Sequence, residues 1–469
     1  MSVSHKMLIN GALVDGARTL DVINPAVGEV FKTVACADEA QANEAVQAAK
    51  AAFPAWAALS FEERRGYLNK FADAINANAE LLARELTMEQ GKPAEQAQGE
   101  VAFTEIFIRH FAAQEPFERE VVEDSDELHI EARYTPLGVV AGITPWNFPL
   151  LLGVAKVAPA LMTGNTFILK PAATTPVTSM IVGELAKDIF PAGVFNVITD
   201  KNDLGAYLTV HPDIAKVSFT GSTATGKKVM ESAASTLKRI TLELGGNDAA
   251  ILLDDIDVKE TAPKVFGAAF FNAGQVCVAV KRVYVHESQY DAMCEELAGI
   301  ANQTVTGDGL NQGTQVGPIQ NAQQYEKAKG FLEAAKRDGK VIAGGETEGP
   351  GYFIKPTIVR DIDDSSTVVK DEQFAPILPV LKYEQLDDVL ARANDSEYGL
   401  GGSVWSTNIA RAQELAEKID SGTVWVNHHL HFGPHIPFAG AKNSGIGVEF
   451  SREGMTEFMQ RRVISTSKA

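Results

Sequence analysis

From Val139 onward, short apolar runs alternate with longer helical stretches, and this alternation restricts the fold more than any other feature of the chain. The runs at residues 139–143, 166–169, 194–198, 216–219 and 249–253 are too short for buried helices and carry little polar interruption, so they read as strands buried on both faces. Helical stretches such as residues 177–189 separate them. Strand–helix alternation predicts a doubly wound, parallel α/β sheet. The style repeats after Cys277, with strands expected near residues 282–285 and 422–426, which predicts a second α/β domain.

The first stretch, from residue 37, reads as helical. Residues 37–56 are rich in Ala and Gln. Ser60 with Glu63 forms a capping-box pattern, in which hydroxyl and carboxylate satisfy orphan amide donors. Leu68, Phe71 and Ile75 then recur at helical spacing, and a further helix through Leu81, Leu82 and Leu86 should stop at Gly91, with Pro93 beyond it. An acidic segment, residues 115–131, ends in an alternating stretch that suggests an exposed strand, and residues 461–466 are strand-like as well.

The chain has 469 residues and a formal net charge of −19, which argues against nucleic-acid or anionic-membrane partners. No stretch approaches the ~20 apolar residues of a membrane span. Cys36, Cys277 and Cys294 are too scattered for a disulfide framework or a zinc site, no signal-peptide pattern opens the sequence, and a cytoplasmic location is expected. Four histidines crowd residues 428–435, but no carboxylate or cysteine cluster accompanies them, so no metal is expected.

A buried cysteine is most often a small hydrophobe. Cys277 invites a different reading because of two residues upstream: Glu243, a carboxylate before a Gly-rich turn, and Asn147, an amide in a Pro-bounded turn. A thiol, a base and an oxyanion donor are the parts needed for acyl chemistry through a thioester. Separately, the turn from Gly221 through Ser222 to Gly226 follows one expected strand and opens a helix, whose N-terminus would offer free N–H groups to a phosphate. Lys170 ends another strand, at the edge where open sheets bind ligands.

These stretches, together with residues 89–93, 170–172, 219–222, 372–376, 437–440 and 442–445, resemble the aldehyde dehydrogenase superfamily in order and over nearly the whole chain. The resemblance implies a Rossmann-like cofactor domain (residues 1–116 and 135–244), a second α/β catalytic domain (245–445) and a small β oligomerisation arm (117–134 and 455–469) that joins subunits into a homodimer or homotetramer. It implies NAD or NADP, contacted by Ile143, Trp146, Lys170, Gly221, Ser222, Gly226, Glu372 and Phe374. Many NAD-preferring members carry Glu three residues after the equivalent of Lys170; here Ala173 stands there, which makes NADP admissible, while Asp200 and Lys201 pull in opposite directions.

The implied activity is oxidation of an aldehyde to the carboxylic acid. Cys277 would attack the carbonyl, Asn147 and the Cys277 backbone N–H would hold the oxyanion, and Glu243 would activate water against the thioester. Members that pass the acyl group to coenzyme A generally lack this glutamate, so hydrolysis is favoured over a CoA-acylating semialdehyde dehydrogenase. Retention of all three residues also argues against a catalytically idle relative. Phe148, Phe271, Val276, Val278, Phe432 and Phe438 match positions around the aldehyde tunnel and suggest an apolar or aromatic substrate; no Arg falls among them to bind a second carboxylate.

Overall fold

The computed structural model describes residues 4–468. The chain opens not with a helix but with two β-hairpins, β1 (Met7–Ile9) with β2 (Ala12–Val14), and β3 (Arg18–Asn24) with β4 (Glu29–Cys36). These hairpins precede the stretch read as helical, which begins at residue 37. β3 and β4 are mostly half-exposed, so their apolar alternation is diluted in the sequence.

Four helices follow: α1 (Glu39–Ala58), α2 (Phe61–Ala77), α3 (Ala79–Gln90) and α4 (Ala94–Ala112). The Ser60–Glu63 capping box forms at the start of α2. α3 ends on Gly91 at φ 97°, a left-handed cap open to glycine. Next come β5 (Glu120–Asp124), β6 (Leu128–Pro136) and β7 (Val139–Ile143), then α5 (Pro149–Met162), β8 (Thr166–Lys170), α6 (Val177–Ala186), β9 (Phe195–Val197), α7 (Leu204–Val210), β10 (Lys216–Thr220), α8 (Thr223–Ala234) and β11 (Arg239–Glu243). Strands β9-β8-β7-β10-β11 lie parallel in that order and are extended by antiparallel β1 and β2 at one end. Four of the five segments expected as buried parallel strands are in this sheet.

The fifth, β12 (Asp248–Leu252), begins a second sheet. It is followed by α9 (Val258–Phe270), β13 (Val280–His286), α10 (Glu287–Gln303), α11 (Ala322–Asp338), β14 (Lys340–Ala343) and the small hairpin of β15 (Thr347–Glu348) with β16 (Phe353–Ile354). Then come β17 (Thr357–Arg360), α12 (Thr367–Lys370), β18 (Ile377–Tyr383), α13 (Leu386–Asn394), β19 (Tyr398–Gly399), β20 (Gly401–Trp405), α14 (Ile409–Ala416) and β21 (Thr423–Val426). The sheet order is β14-β17-β18-β13-β12-β20-β21. Along β12, Ala249 and Ile251 pack into one apolar core while Ala250 and Leu252 pack into another on the opposite face. That two-residue period is why a strand covered on both sides reads as an unbroken apolar run.

The chain then returns to the first sheet. β22 (Ala441–Lys442) pairs with β19, and β23 (Gly445–Ile446) adds to the β11 edge. After α15 (Ser451–Thr456), β24 (Met459–Ser467) pairs antiparallel with β6 along its length, and β5 flanks β6 on the other side. The expected pairing of the acidic insertion with the C-terminal segment is therefore present within the chain. The fold is mixed α/β, with two large layered sheets and one small three-stranded sheet.

Candidate active site

Parallel register gathers the predicted residues at one edge of the first sheet. Ile143 aligns with Lys170 and with Phe219, and Thr220 aligns with Glu243. The segments leaving β7, β8 and β10 thus bring out Trp146 and Asn147, Lys170, and Gly221 and Ser222 at the carboxyl edge, where Glu243 closes β11. This is the edge at which open α/β sheets bind ligands. From the second sheet, Cys277 arrives just before β13, and Glu372 and Phe374 just before β18. A cavity of about 170 Å³ between them is lined by Trp146, Asn147, Gly221, Ser222, Cys277, Glu372 and Phe374, together with Gln324 and Lys327. Trp146 and Phe374 meet edge to face at 5.3 Å.

The turn that delivers Cys277 is strained. Asn272, Ala273 and Gly274 have φ of 50°, 56° and 71°, three successive left-handed residues, of which only the glycine adopts that conformation freely. The turn is held from several sides. The Asn147 side-chain Nδ2 donates to the Gln275 carbonyl at 3.0 Å, and the Asn272 Nδ2 donates to the Asn147 carbonyl at 3.1 Å. The Gln275 side chain donates to Asn272 and Pro318 carbonyls. Gly246 lies against the same turn: a Cβ there would stand 2.4 Å from the Cys277 carbonyl oxygen.

Burial pushes the Cys277 thiol up to about 12, and the carboxylates of Glu243, Glu372 and Asp248 act in the same direction; Lys281 opposes them. Glu243 is buried, and neither carboxylate oxygen has a hydrogen-bond partner among the described residues. Its carboxyl is held well above the usual range, first by burial and then by Glu449, with Lys156 pulling the other way. Lys156, in the apolar helix α5, forms a buried ion pair with Glu449, and Ser218 donates to the same oxygen at 3.3 Å. Reading the sequence missed this pair. A single lysine inside the otherwise apolar α5 was the available signal.

Asn147 has a second support that was also missed. Lys92, buried beneath it, donates to the Asn147 carbonyl at 2.8 Å, pairs with the buried Glu100, and sits 3.8 Å from the centre of the Phe148 ring. Glu100 in turn accepts from the Leu150 and Leu151 N–H groups in the first turn of α5, where carboxylates are favoured.

The remaining expected residues are placed as follows. Ser222 caps α8, its hydroxyl accepting from the Thr225 N–H. Gly226 packs against Leu244, which a Cβ would overlap at 2.4 Å. Lys170 is paired with Asp200 at 2.7 Å, both buried. Glu372 accepts from the Gly246 N–H at 3.1 Å. Ile143, Lys170 and Gly226 lie outside the lining of the cavity around Cys277, and so do the six expected substrate residues. Phe148 stacks with Phe271 at 6.1 Å, Phe432 meets Phe103 edge-on at 5.6 Å, Phe438 stacks on Phe450, and Val276 and Val278 are buried. Among the described residues, no group of three or more His, Cys, Asp or Glu is arranged to hold a metal ion, and no helix is long and apolar enough to cross a membrane.

The sequence pattern of the aldehyde dehydrogenase family spans residues 13–464. An aldehyde dehydrogenase of a Fusarium species is 39% identical over 446 residues, covering 94% of each chain. The solved NAD+ complex of an aldehyde dehydrogenase from Bacillus cereus superposes with a TM-score of 0.97 at 36% identity, covering 100% of this chain and 97% of that one. An E. coli NADP-dependent enzyme superposes at 0.96 with 34% identity, covering 99% and 98%. The chain belongs to the aldehyde dehydrogenase family. It is an NAD(P)-dependent oxidoreductase that converts an aldehyde to the carboxylic acid.

Proposed function

We propose that Cys277, Asn147 and Glu243 carry this oxidation, and the observation behind the reading is that Cys277 and Asn147 reach one cavity from two sheets while Glu243, outside its lining, ends β11 just before the lining residues Leu244 and Gly245. The residues around the cavity suit a dinucleotide: an aromatic pair, the half-buried Glu372, and the amide-rich start of α8 beside Gly221 and Ser222. Trp146, Glu372 and Phe374 would hold the nicotinamide end; Lys170 and Ser222, with Ile143 and Gly226 behind them, would hold the rest. The bound cofactor supplies the hydride acceptor.

Cys277 Sγ, as thiolate, bonds the aldehyde carbon, and the oxygen gains negative charge. The Asn147 Nδ2 has two N–H groups and gives one to Gln275; its other, with the Cys277 backbone N–H, stabilises the oxyanion. After oxidation the acyl group stays on Sγ as a thioester. Glu243 takes a proton from water, which then attacks that thioester and releases the acid. Lys156 and Glu449, paired with each other, act on Glu243 in opposite directions and so tune it. The substrate is an apolar or aromatic aldehyde, passing between Phe148, Phe271, Val276, Val278, Phe432 and Phe438.

The first large sheet serves as the cofactor domain and the second as the catalytic domain. The β5–β6–β24 arm exposes Val121, Val122 and Val463 and carries self-association into a dimer or tetramer.

The test pairs Cys277→Ser with Glu243→Gln. The serine variant should form no NAD(P)H. The glutamine variant should give a first-turnover burst followed by turnover slowed by about 10²–10⁴. Full activity of Cys277→Ser overturns the assignment, and coenzyme A in the product of the wild-type enzyme overturns the hydrolytic step.

A further inference from the structure

Lys281 stands in β13, four residues after Cys277, and is buried (2% exposed). Its ammonium donates to the Gly274 carbonyl at 2.7 Å and to the Val276 carbonyl at 3.0 Å, and lies 5.1 Å from the centre of the Phe374 ring. It forms no ion pair within 4 Å among the described residues. A buried cation without an adjacent counter-charge is costly, so its partners deserve a functional explanation. The Gly274 carbonyl belongs to the strained turn, the Val276 carbonyl to the residue just before the nucleophile, and the ring to the cavity that Cys277 lines.

The charges around the thiol are unbalanced. Glu243 faces it from β11, Asp248 from β12 and Glu372 from the segment before β18. Asp248 also has His429 at 3.5 Å, whose Nε2 is bonded to the Val278 carbonyl at 2.8 Å. Lys327 on α11 lies on the Glu372 side of the cavity and acts on Lys281 as a like charge. Burial draws the Lys281 ammonium down to about 8, while Glu372, Asp248 and Cys277 hold it up.

We infer that Lys281 is a positioning residue for the nucleophile: its ammonium clamps the left-handed turn before Cys277 and supplies the positive field that allows the thiol to ionise among three carboxylates. The inference rests on Cys277 being the nucleophile. A neutral hydrogen-bonding side chain would keep part of the clamp and lose the field, which separates the two contributions.

The experiment is the pH dependence of Cys277 alkylation by iodoacetamide, followed on the Cys277 peptide by mass spectrometry, in the wild type and in Lys281→Gln, Lys281→Met and Lys281→Arg. The Gln and Met variants should react with a midpoint raised by about one pH unit, which is about tenfold slower alkylation below the midpoint; the Arg variant should keep the wild-type midpoint. Wild-type midpoints in folded Gln and Met variants, even with impaired turnover, reduce Lys281 to a packing role and overturn the inference. If neither neutral variant folds, Lys281→Arg decides: it keeps the charge and the donors to the Gly274 and Val276 carbonyls, so a midpoint raised by about one pH unit in folded Lys281→Arg overturns the inference. Activity surviving in Cys277→Ser would instead defeat the underlying reading and leave the alkylation result unaffected.

Discussion

The Asn147 side chain donates to the carbonyl of Gln275 at 3.0 Å, so the amide proposed to stabilise the oxyanion is tied to the backbone two residues before the proposed nucleophile. This bond ties the segment after β7 to the turn before β13, so the two groups are already held together before substrate binds. Preorganised donors of this kind work because no reorganisation is needed as charge develops.

Asn147→Ala should therefore act on turnover more than on substrate affinity. We expect kcat to fall by about 10²–10³ with KM changed far less. Steady-state kinetics with one aldehyde at saturating cofactor will show it; a change confined to KM would remove Asn147 from the oxyanion site.

Acid–base behaviour should follow the buried charges near Glu243. Its carboxyl lies above the usual range because of burial and Glu449, with Lys156 opposing. Hydrolysis needs the ionised form, so thioester breakdown should rise with pH through this shifted value. Lys156→Met removes the stabilising cation and should move that limb to higher pH; Glu449→Gln removes a repelling anion and should move it to lower pH, each by about one unit. Rapid-quench measurement of thioester decay against pH gives both shifts, and movement of the two limbs in the same direction would contradict this arrangement.

Support beneath Asn147 predicts a stability effect. Lys92 and Glu100 are both buried, and burial draws the Lys92 ammonium below its ordinary value. Glu100→Gln or Lys92→Met leaves one charge without its partner and should cost about 3–5 kcal/mol in urea unfolding. The double variant Lys92→Met/Glu100→Gln should recover part of that loss.

Cofactor choice should respond to Ala173. This residue lines a cavity of about 580 Å³ with Lys201 and Asn202, near the end of β8. Ala173→Glu would place a carboxylate where a 2′-phosphate extends from the adenosine ribose. We expect KM for NADP to rise by about tenfold or more through like-charge repulsion, with KM for NAD nearly unchanged. Equal changes for both cofactors would place the adenosine ribose elsewhere.

The elements most visible in the sequence were those whose local chemistry agreed with their tertiary role. Ser60 and Glu63 cap a helix whatever it packs against, Gly91 stops one for its own conformational reasons, and β7, β8, β10 and β12 are apolar because both faces are covered. The hairpins of residues 7–36 were invisible because half-exposed strands dilute the apolar pattern. Cys277, Glu243 and Asn147 could be picked out by chemical type, but the supports beneath them could not. Lys156 meets a glutamate 293 positions away and Lys92 an asparagine 55 away, and nothing local in the chain announces either partner. Lys281 likewise takes its meaning from the Gly274 and Val276 carbonyls it meets in the folded chain.

Glu449 is followed almost at once by α15 and then by β24, which is zipped onto β6. The carboxylate that acts on Glu243 thus hangs from the same short tether as the edge strand of the proposed subunit arm. Peeling that strand away would tug on the acid–base network, and docking it firmly would steady it. Were subunits to associate through this proposed arm, assembly and the release of product acid would be mechanically joined through the tail of the chain.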